Sequence, residues 1–149
     1  SNKEELFSEV VEDIWQVFMS GMDSISLSEA PFSDKTSRFL DFGFEQLRKV
    51  HPLMRGMFSD ANKREMLIER VEEVCMLIEE FFEEAHIAGA LFGDTENREL
   101  RRFNIRVIVS GVLFRAALVP PEELDDEIEG IRRGIELGIN ERLRLGAGG

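Results

Sequence analysis

The chain of 149 residues fits one domain, and its single cysteine, Cys75, excludes an internal disulfide framework, so a reducing, cytoplasmic location is expected. Its formal net charge of −12 opposes a phosphate backbone, so the chain as printed is not expected to bind nucleic acid. The longest nearly apolar run, 107–119, is shorter than the roughly 20 residues that a bilayer requires and contains Arg115, so no membrane association is expected.

The first predicted helix begins at the N-terminal end of the sequence. Asn2 suits the N-cap, and Glu5 completes the spacing of a capping box. Residues 1–2 also resemble the remnant of a removed purification tag, so the domain is predicted to cover residues 3–145, with a flexible tail over 146–149. The apolar residues of this helix follow one another at helical spacing: Leu6, Val10, Ile14, Val17 or Phe18, and Met22.

A serine-rich connection separates this helix from the second, for which Ser33 or Asp34 is the predicted cap. The second helix is predicted to end at His51, because the residue before a proline is pushed out of the helical region. A short helix with the sequence PLMRGMF is then predicted from Pro52. The fourth helix is predicted over 61–87, with an inward seam at regular helical spacing: Leu67, Val71, Val74, Ile78, Phe81 and Ala85.

The last two predicted helices are unusual in composition. The fifth, over 96–119, becomes apolar on nearly every side and must therefore be covered on nearly every side. Pro120 and Pro121 end it, and Pro121 suits the first turn of the last helix. That helix carries glycines four residues apart, each of which costs about 1 kcal/mol relative to alanine, so a close approach of another helix is indicated. These glycines are Gly130, Gly134 and Gly138.

No segment shows the alternating pattern of a strand, so the predicted fold is all-α. We expect a single helical-bundle domain of about six helices. The last two helices are predicted to form a dimer interface with those of a second copy, because they offer more apolar surface than a monomer can leave exposed.

Catalytic and metal-binding patterns are sparse in this sequence. Glu83 and His86 have the spacing of a carboxylate and histidine pair that binds metal in helical bundles, but a di-iron site needs a second such pair and further carboxylates. Cys75 has no partner base in the sequence and is expected to be a packed thiol. We therefore expect neither an enzyme nor a bound cofactor, and a helical metal–carboxylate enzyme stays open as an alternative.

Soft apolar residues exceed what the helical seams need, and such residues line adaptable pockets. Arg106 lies on the apolar fifth helix, where it either pairs within the protein or receives an anionic group of a ligand. A lipophilic small molecule is the predicted ligand, and core packing is the alternative for each residue taken singly. The predicted ligand-binding residues are Trp15, Phe18, Met19, Met22, Phe39, Met54, Met57, Phe58, Phe103 and Arg106.

The segment KEELF at residues 3–7, followed by an amphipathic helix, resembles the junction in TetR-family transcriptional regulators, where a DNA-binding headpiece meets a long connecting helix. The order that follows is similar over nearly the whole chain: connecting helix, pocket helices with one short member, a long helix and two final helices. In that family the last two helices pair with their copies as a four-helix dimer interface. The resemblance implies that this interface here contains Gly111, Phe114, Leu118, Gly130, Ile131, Gly134 and Gly138.

The three-helix headpiece that binds operator DNA in TetR-family regulators has no counterpart in this sequence. The resemblance therefore implies the effector-binding and dimerisation half of a repressor-like regulator, which would form a homodimer and bind a lipophilic effector. Operator DNA would be contacted only through the missing headpiece, whose separation from its copy the effector would change. No ligand residue can be transferred by motif, because the ligand-binding domains of the family diverge widely. A helical protein-interaction module without a ligand is the second alternative.

Overall fold

The described residues of the chain form an all-α structure, which confirms the predicted fold class. The computed structural model describes residues 2–84 and 98–147, where five α-helices and one short 3-10 helix occur and no strand is present. The helices are α1 Asn2–Leu27, α2 Phe32–Ser59, α3 Ala61–Glu84, α4 Arg98–Leu118 and α5 Leu124–Ala147, with the 3-10 helix Pro121–Glu123 between α4 and α5. None of the described helices is long and apolar enough to cross a membrane.

Part of the predicted organisation lies outside the described residues. The predicted turn over 88–97, Ala85 of the fourth-helix seam and His86 of the candidate metal pair all fall there. The bounds of α5 include the first two residues of the predicted tail over 146–149. The chain divides into two compact units, Ser1–Val50 and His51–Gly149, with the boundary inside α2.

In the first unit, α1 and the beginning of α2 form a helical hairpin in which the helices approach closely at two glycines. A Cβ atom on Gly21 would collide with the ring of Phe42, and a Cβ atom on Gly43 would lie 3.3 Å from Met22 Cε. The ring of Phe18 stacks on that of Phe42, with centroids 6.3 Å apart. The missing side chain at Gly21 therefore makes room for an aromatic contact between the two helices.

The buried face of α1 differs from the predicted one. Leu6, Val10 and Val17 of the predicted face are exposed, whereas Met22 of that face is buried, as is Val11, which lies outside it. The predicted helical spacing of the apolar residues was correct. The apolar side chains of α1 cover an arc wider than one line of residues, and the aromatic residues determine which part of that arc is buried. Large rings bury more apolar surface than valine or leucine side chains, so the hairpin is rotated toward them.

α2 runs without interruption through Pro52, so the predicted end at His51 and the predicted separate short helix are wrong. A proline inside a helix removes one backbone hydrogen bond and costs about 3 kcal/mol. The helical path keeps His51, Met54 and Met57 on one face, and all three side chains are buried. Burying a methionine side chain contributes roughly 1.5–3 kcal/mol, so the two buried methionines offset the cost of the proline.

His51 supplies a hydrogen-bond donor that the C-terminal end of α4 lacks. In a continuing helix the carbonyl of Ala116 would accept the backbone N–H of residue 120, but Pro120 has no N–H. His51 Nε2 lies 2.9 Å from the Ala116 carbonyl oxygen and 3.0 Å from that of Val119. Because both neighbours are acceptors, Nε2 carries the proton and donates to both.

α4 is the central helix of the second unit and packs against both α3 and α5. Ile105 of α4 is buried, as are Leu124 and Ile128 of α5. Arg115 Nε donates to Glu127 Oε1 at 2.7 Å and links α4 to α5. The two final helices therefore form one continuous outer surface.

We expect His51→Leu to lower the free energy of unfolding by about 1–3 kcal/mol, because it leaves buried carbonyl groups without their donor. Lys49→Leu is the matched control on the same helix, since Lys49 makes only an exposed ion pair with Glu45 and should change stability by less than about 1 kcal/mol. Urea denaturation followed by circular dichroism measures both variants. Equal effects of the two substitutions would contradict the role assigned to His51.

Candidate functional site

One face of α4 carries large apolar side chains that the described chain leaves more than half exposed. The members are spaced three or four residues apart, so they share one side of the helix. We call them the α4 stripe: Phe103, Val107, Gly111, Phe114 and Leu118. Phe103 is 59% exposed, Leu118 is 64% exposed, and the other two large side chains are also more than half exposed. Phe58 of α2 contacts Phe114 edge-on, with ring centroids 6.2 Å apart, but leaves its outer side open.

The glycines of α5 also face open space. Gly130, Gly134 and Gly138 are exposed, and a Cβ atom added to any of them would meet no other atom within 4 Å. The same is true of Gly111 in the α4 stripe. Packing among the described residues therefore gives no reason for glycine at these positions, although each one weakens its helix by about 1 kcal/mol.

The two halves of the predicted dimer interface lie side by side. Arg115 and Glu127 form a two-point contact between α4 and α5, and the hydrogen bond to Glu127 raises the pKa of Arg115. Ile131 of α5 is half-buried, and Leu137 is exposed beside the glycines. All seven residues that the sequence assigned to the interface thus belong to helices joined by this ion pair, and most of them are exposed. The exposed face is apolar and free of charge along the α4 stripe.

A second feature is a small groove of about 100 Å³ between α3 and α4. Its lining residues are Glu72, Cys75, Met76, Glu79, Arg102 and Arg106. Arg102 Nε lies 2.8 Å from Glu79 Oε2, and Arg106 Nη2 lies 2.9 Å from Glu72 Oε2. The two ion pairs differ in environment, because the Glu79 side chain is only 6% exposed whereas that of Glu72 is 45% exposed.

Cys75 is buried at the bottom of this groove. Burial, together with the nearby charge of Glu72, raises the pKa of its thiol to about 11, and the charge of Arg106 opposes this shift. The thiol is therefore protonated at neutral pH, which makes it a poor nucleophile and a poor metal ligand. This agrees with the packed thiol expected from the sequence.

The predicted ligand-binding residues of the first unit are packed together through aromatic contacts. Trp15 stacks on Phe18 with ring centroids 5.4 Å apart, and Met22 and Phe39 are buried. Met19 is half-buried on the same helix as Trp15. None of these five residues is fully exposed, and packing within the hairpin unit is the alternative that the sequence left open for each of them.

The predicted ligand-binding residues of the second unit separate into interior and surface groups. Met54 and Met57 are almost completely buried, and Phe58 is half-buried against Phe114. Phe103, by contrast, is exposed on the α4 stripe and does not line an interior site. Its charged neighbours Arg102 and Arg106 occupy the side of α4 that faces α3. Arg106 pairs with Glu72, so an anionic ligand would first have to displace that carboxylate.

Three contacts were not predicted from the sequence: that of His51 with the end of α4, and those of Arg102 and Arg106 with carboxylates of α3. The role of His51 could have been found from the two consecutive prolines after α4, which remove backbone donors from the helix end. The spacing of Arg102 and Arg106 placed both on one face of a helix, and Glu72 and Glu79 likewise share a face of α3. Nothing in the sequence indicated which arginine meets which carboxylate.

No cluster of three or more potential metal ligands occurs within residues 2–84 and 98–147. His86 of the candidate metal pair lies outside those ranges, and Glu83 of the same pair engages another group. The described residues therefore offer an exposed apolar face and a small charged groove as the two features that need a functional explanation.

We expect Arg102→Gln to destabilise the chain more than Arg106→Gln, because it removes two charge-assisted hydrogen bonds from a buried carboxylate. The expected losses in the free energy of unfolding are about 1–3 kcal/mol for Arg102→Gln and under about 1 kcal/mol for the exposed pair of Arg106. Chemical denaturation of both variants provides the measurement. A larger loss for Arg106→Gln would show that burial of the carboxylate does not set the strength of these pairs.

Comparisons with protein families, with curated proteins and with solved structures gave no match for this chain. The exposed face of α4 and α5 is therefore the main feature of the described residues that bears on function. That face combines large apolar side chains with glycines at which an added Cβ atom would meet no described residue within 4 Å.

Proposed function

We propose that this chain is the effector-binding and dimerisation part of a TetR-like transcriptional regulator. In this proposal α4 and α5 pair with the same helices of a second copy, and a lipophilic small molecule binds in the helical interior. DNA binding belongs to a headpiece outside the printed sequence. The ligand acts by changing the separation of the two headpieces, since a ligand can shift an equilibrium only toward the state that it binds better.

The observation that carries the proposal is the uncovered face of the two final helices. Large apolar side chains exposed in a continuous row mark interaction sites, because monomeric proteins rarely leave such patches uncovered. The three glycines of α5 add a surface that lets another helix backbone come close. The resemblance of the chain to TetR-family regulators places their dimer interface on the same two helices.

The interior supports the ligand-binding part of the proposal through its soft side chains. Met54 and Met57 are almost completely buried in the second unit, where unbranched thioether chains can change rotamer without opening a gap. A wall of this kind adapts to apolar ligands of different shapes. The carboxylate bound to Arg106 makes an uncharged or weakly polar ligand the better match than a strong anion.

We expect the chain to be a dimer with twice the 17.1 kDa mass of one chain and Gly134→Leu to be a monomer, because the leucine blocks close approach of a second helix. Gly56→Leu is the matched control, since Gly56 is also an exposed helical glycine with nothing within 4 Å but lies on α2. Light scattering after size exclusion gives the mass. A Gly134→Leu variant that stays dimeric would contradict this interface.

Neither substitution should unfold the chain, because both side chains enter open space and leucine favours the helix over glycine by up to about 1 kcal/mol. Circular dichroism therefore separates loss of the dimer from loss of the fold. A folded monomer for the unsubstituted chain would remove the main support for a regulator and leave the helical interaction module as the better description.

We expect lauric acid methyl ester to raise the melting temperature of the chain, because a ligand that binds only the folded state stabilises it. Met57→Leu, which conserves volume but stiffens the interior, should weaken this response. Met76→Leu is the matched control, because Met76 is exposed on α3. Lauric acid has a carboxylate in place of the ester group and therefore tests the role of ligand charge. It should bind more weakly than its methyl ester. A panel of such ligands without any effect would favour the interaction module.

A further inference from the structure

The α4 stripe has a pattern that is nearly the same when read from either end. Its centre is the pair Ser110 and Gly111, which carries the smallest side chains on this face. Val107 precedes Ser110 by three residues, and Phe114 follows Gly111 by three. The next large residues, Phe103 and Leu118, are seven residues from the centre on either side. Large residues therefore stand at equal distances from a small centre.

A two-fold axis requires this kind of symmetry. In an isologous dimer the same patch serves both copies, so a helix that crosses the axis meets its own copy running in the opposite direction. A residue before the crossing point then faces the residue that lies equally far beyond it. Two helices approach most closely where their side chains are smallest, which places the crossing point at Ser110 and Gly111.

We infer that α4 packs antiparallel against α4 of a second copy and crosses it at Ser110 and Gly111. Phe103 of each copy then contacts Leu118 of the other, and Val107 contacts Phe114. The inference rests on the proposed dimer and specifies that its central contact lies on α4. The glycines of α5 by themselves would place that contact on α5. Phe103 becomes an interface residue in this arrangement and loses its predicted role in ligand binding.

The exposed area of the α4 stripe agrees with a second copy as the occupant. A large apolar or aromatic side chain buries on the order of 150–250 Å², so four that are more than half exposed present a few hundred Å². A stable dimer needs roughly 800 Å² from each partner, and Leu137 with the glycines of α5 extends the surface toward that value. A dimer through this face would leave no large apolar patch on α4.

The charges around the stripe permit the contact between two identical acidic chains. The stripe itself contains no ionisable residue. Arg102 and Arg106 are directed to carboxylates of α3, and Arg115 is held by Glu127. These three arginines therefore bring no unpaired positive charge to a contact between two copies along α4, although each chain carries a net charge of −12.

Cysteine cross-linking of the full chain tests the inference, with Cys75→Ser as the background that removes the only native thiol. Ser110→Cys, close in size to the native residue, should form a covalent dimer under mild oxidation, because its copy lies at the crossing point within disulfide distance. Phe103→Cys and Leu118→Cys should each fail alone, since the two copies of either residue lie about 20 Å apart at a rise of 1.5 Å per residue. A mixture of these two variants should cross-link with a short bismaleimide.

Ser20→Cys on the exposed side of α1 is the control for random collisions and should remain uncrosslinked. A dimer by light scattering that cross-links through Gly134→Cys but not through Ser110→Cys would overturn the inference and leave the proposed dimer intact. A monomer by light scattering would overturn both. Equal cross-linking of Ser20→Cys and Ser110→Cys would also overturn the inference, because it would show that the reaction does not report a specific contact.

Discussion

The arrangement of the second unit depends on how the C-terminal end of α4 is satisfied. Pro120 and Pro121 end the helix but also remove the backbone donors that its last carbonyl groups would otherwise use. His51 Nε2 replaces one of them by donating to the carbonyls of Ala116 and Val119 from a different helix. A buried carbonyl without a donor costs about 1–3 kcal/mol, so this contact joins α2 to α4 and explains why α2 continues through Pro52.

With its end fixed in this way, α4 presents three different sides. One side faces α3 and is held by the ion pairs of Arg102 and Arg106, and a second faces α5, where Arg115 meets Glu127. The third side carries the α4 stripe and is exposed. Arg102, Arg106 and Arg115 thus serve contacts within the chain, and the α4 stripe itself contains no charged residue. Such a division of charge and apolar surface is typical of a helix at a subunit interface.

The proposed regulator and the proposed crossing of α4 place different demands on the same residues. The regulator needs a soft interior, which Met54 and Met57 provide, and a dimer that holds two headpieces at a defined separation. A crossing point at Ser110 and Gly111 would make α4 the pivot between the two copies. Movement of the interior would then reach the interface through Phe58, which contacts Phe114 directly.

The sequence by itself determined the fold class and four of the five described helices to within a few residues at each described end. These features follow from local rules, since helical periodicity, capping residues and consecutive prolines act over a few neighbouring positions. Tertiary structure decided which apolar face of α1 is covered, the path of α2 through Pro52, the partner of Arg106 and the exposure of Phe103. Each of these depends on contacts between residues far apart in the chain, and a pattern within one helix cannot specify which surface another helix will cover.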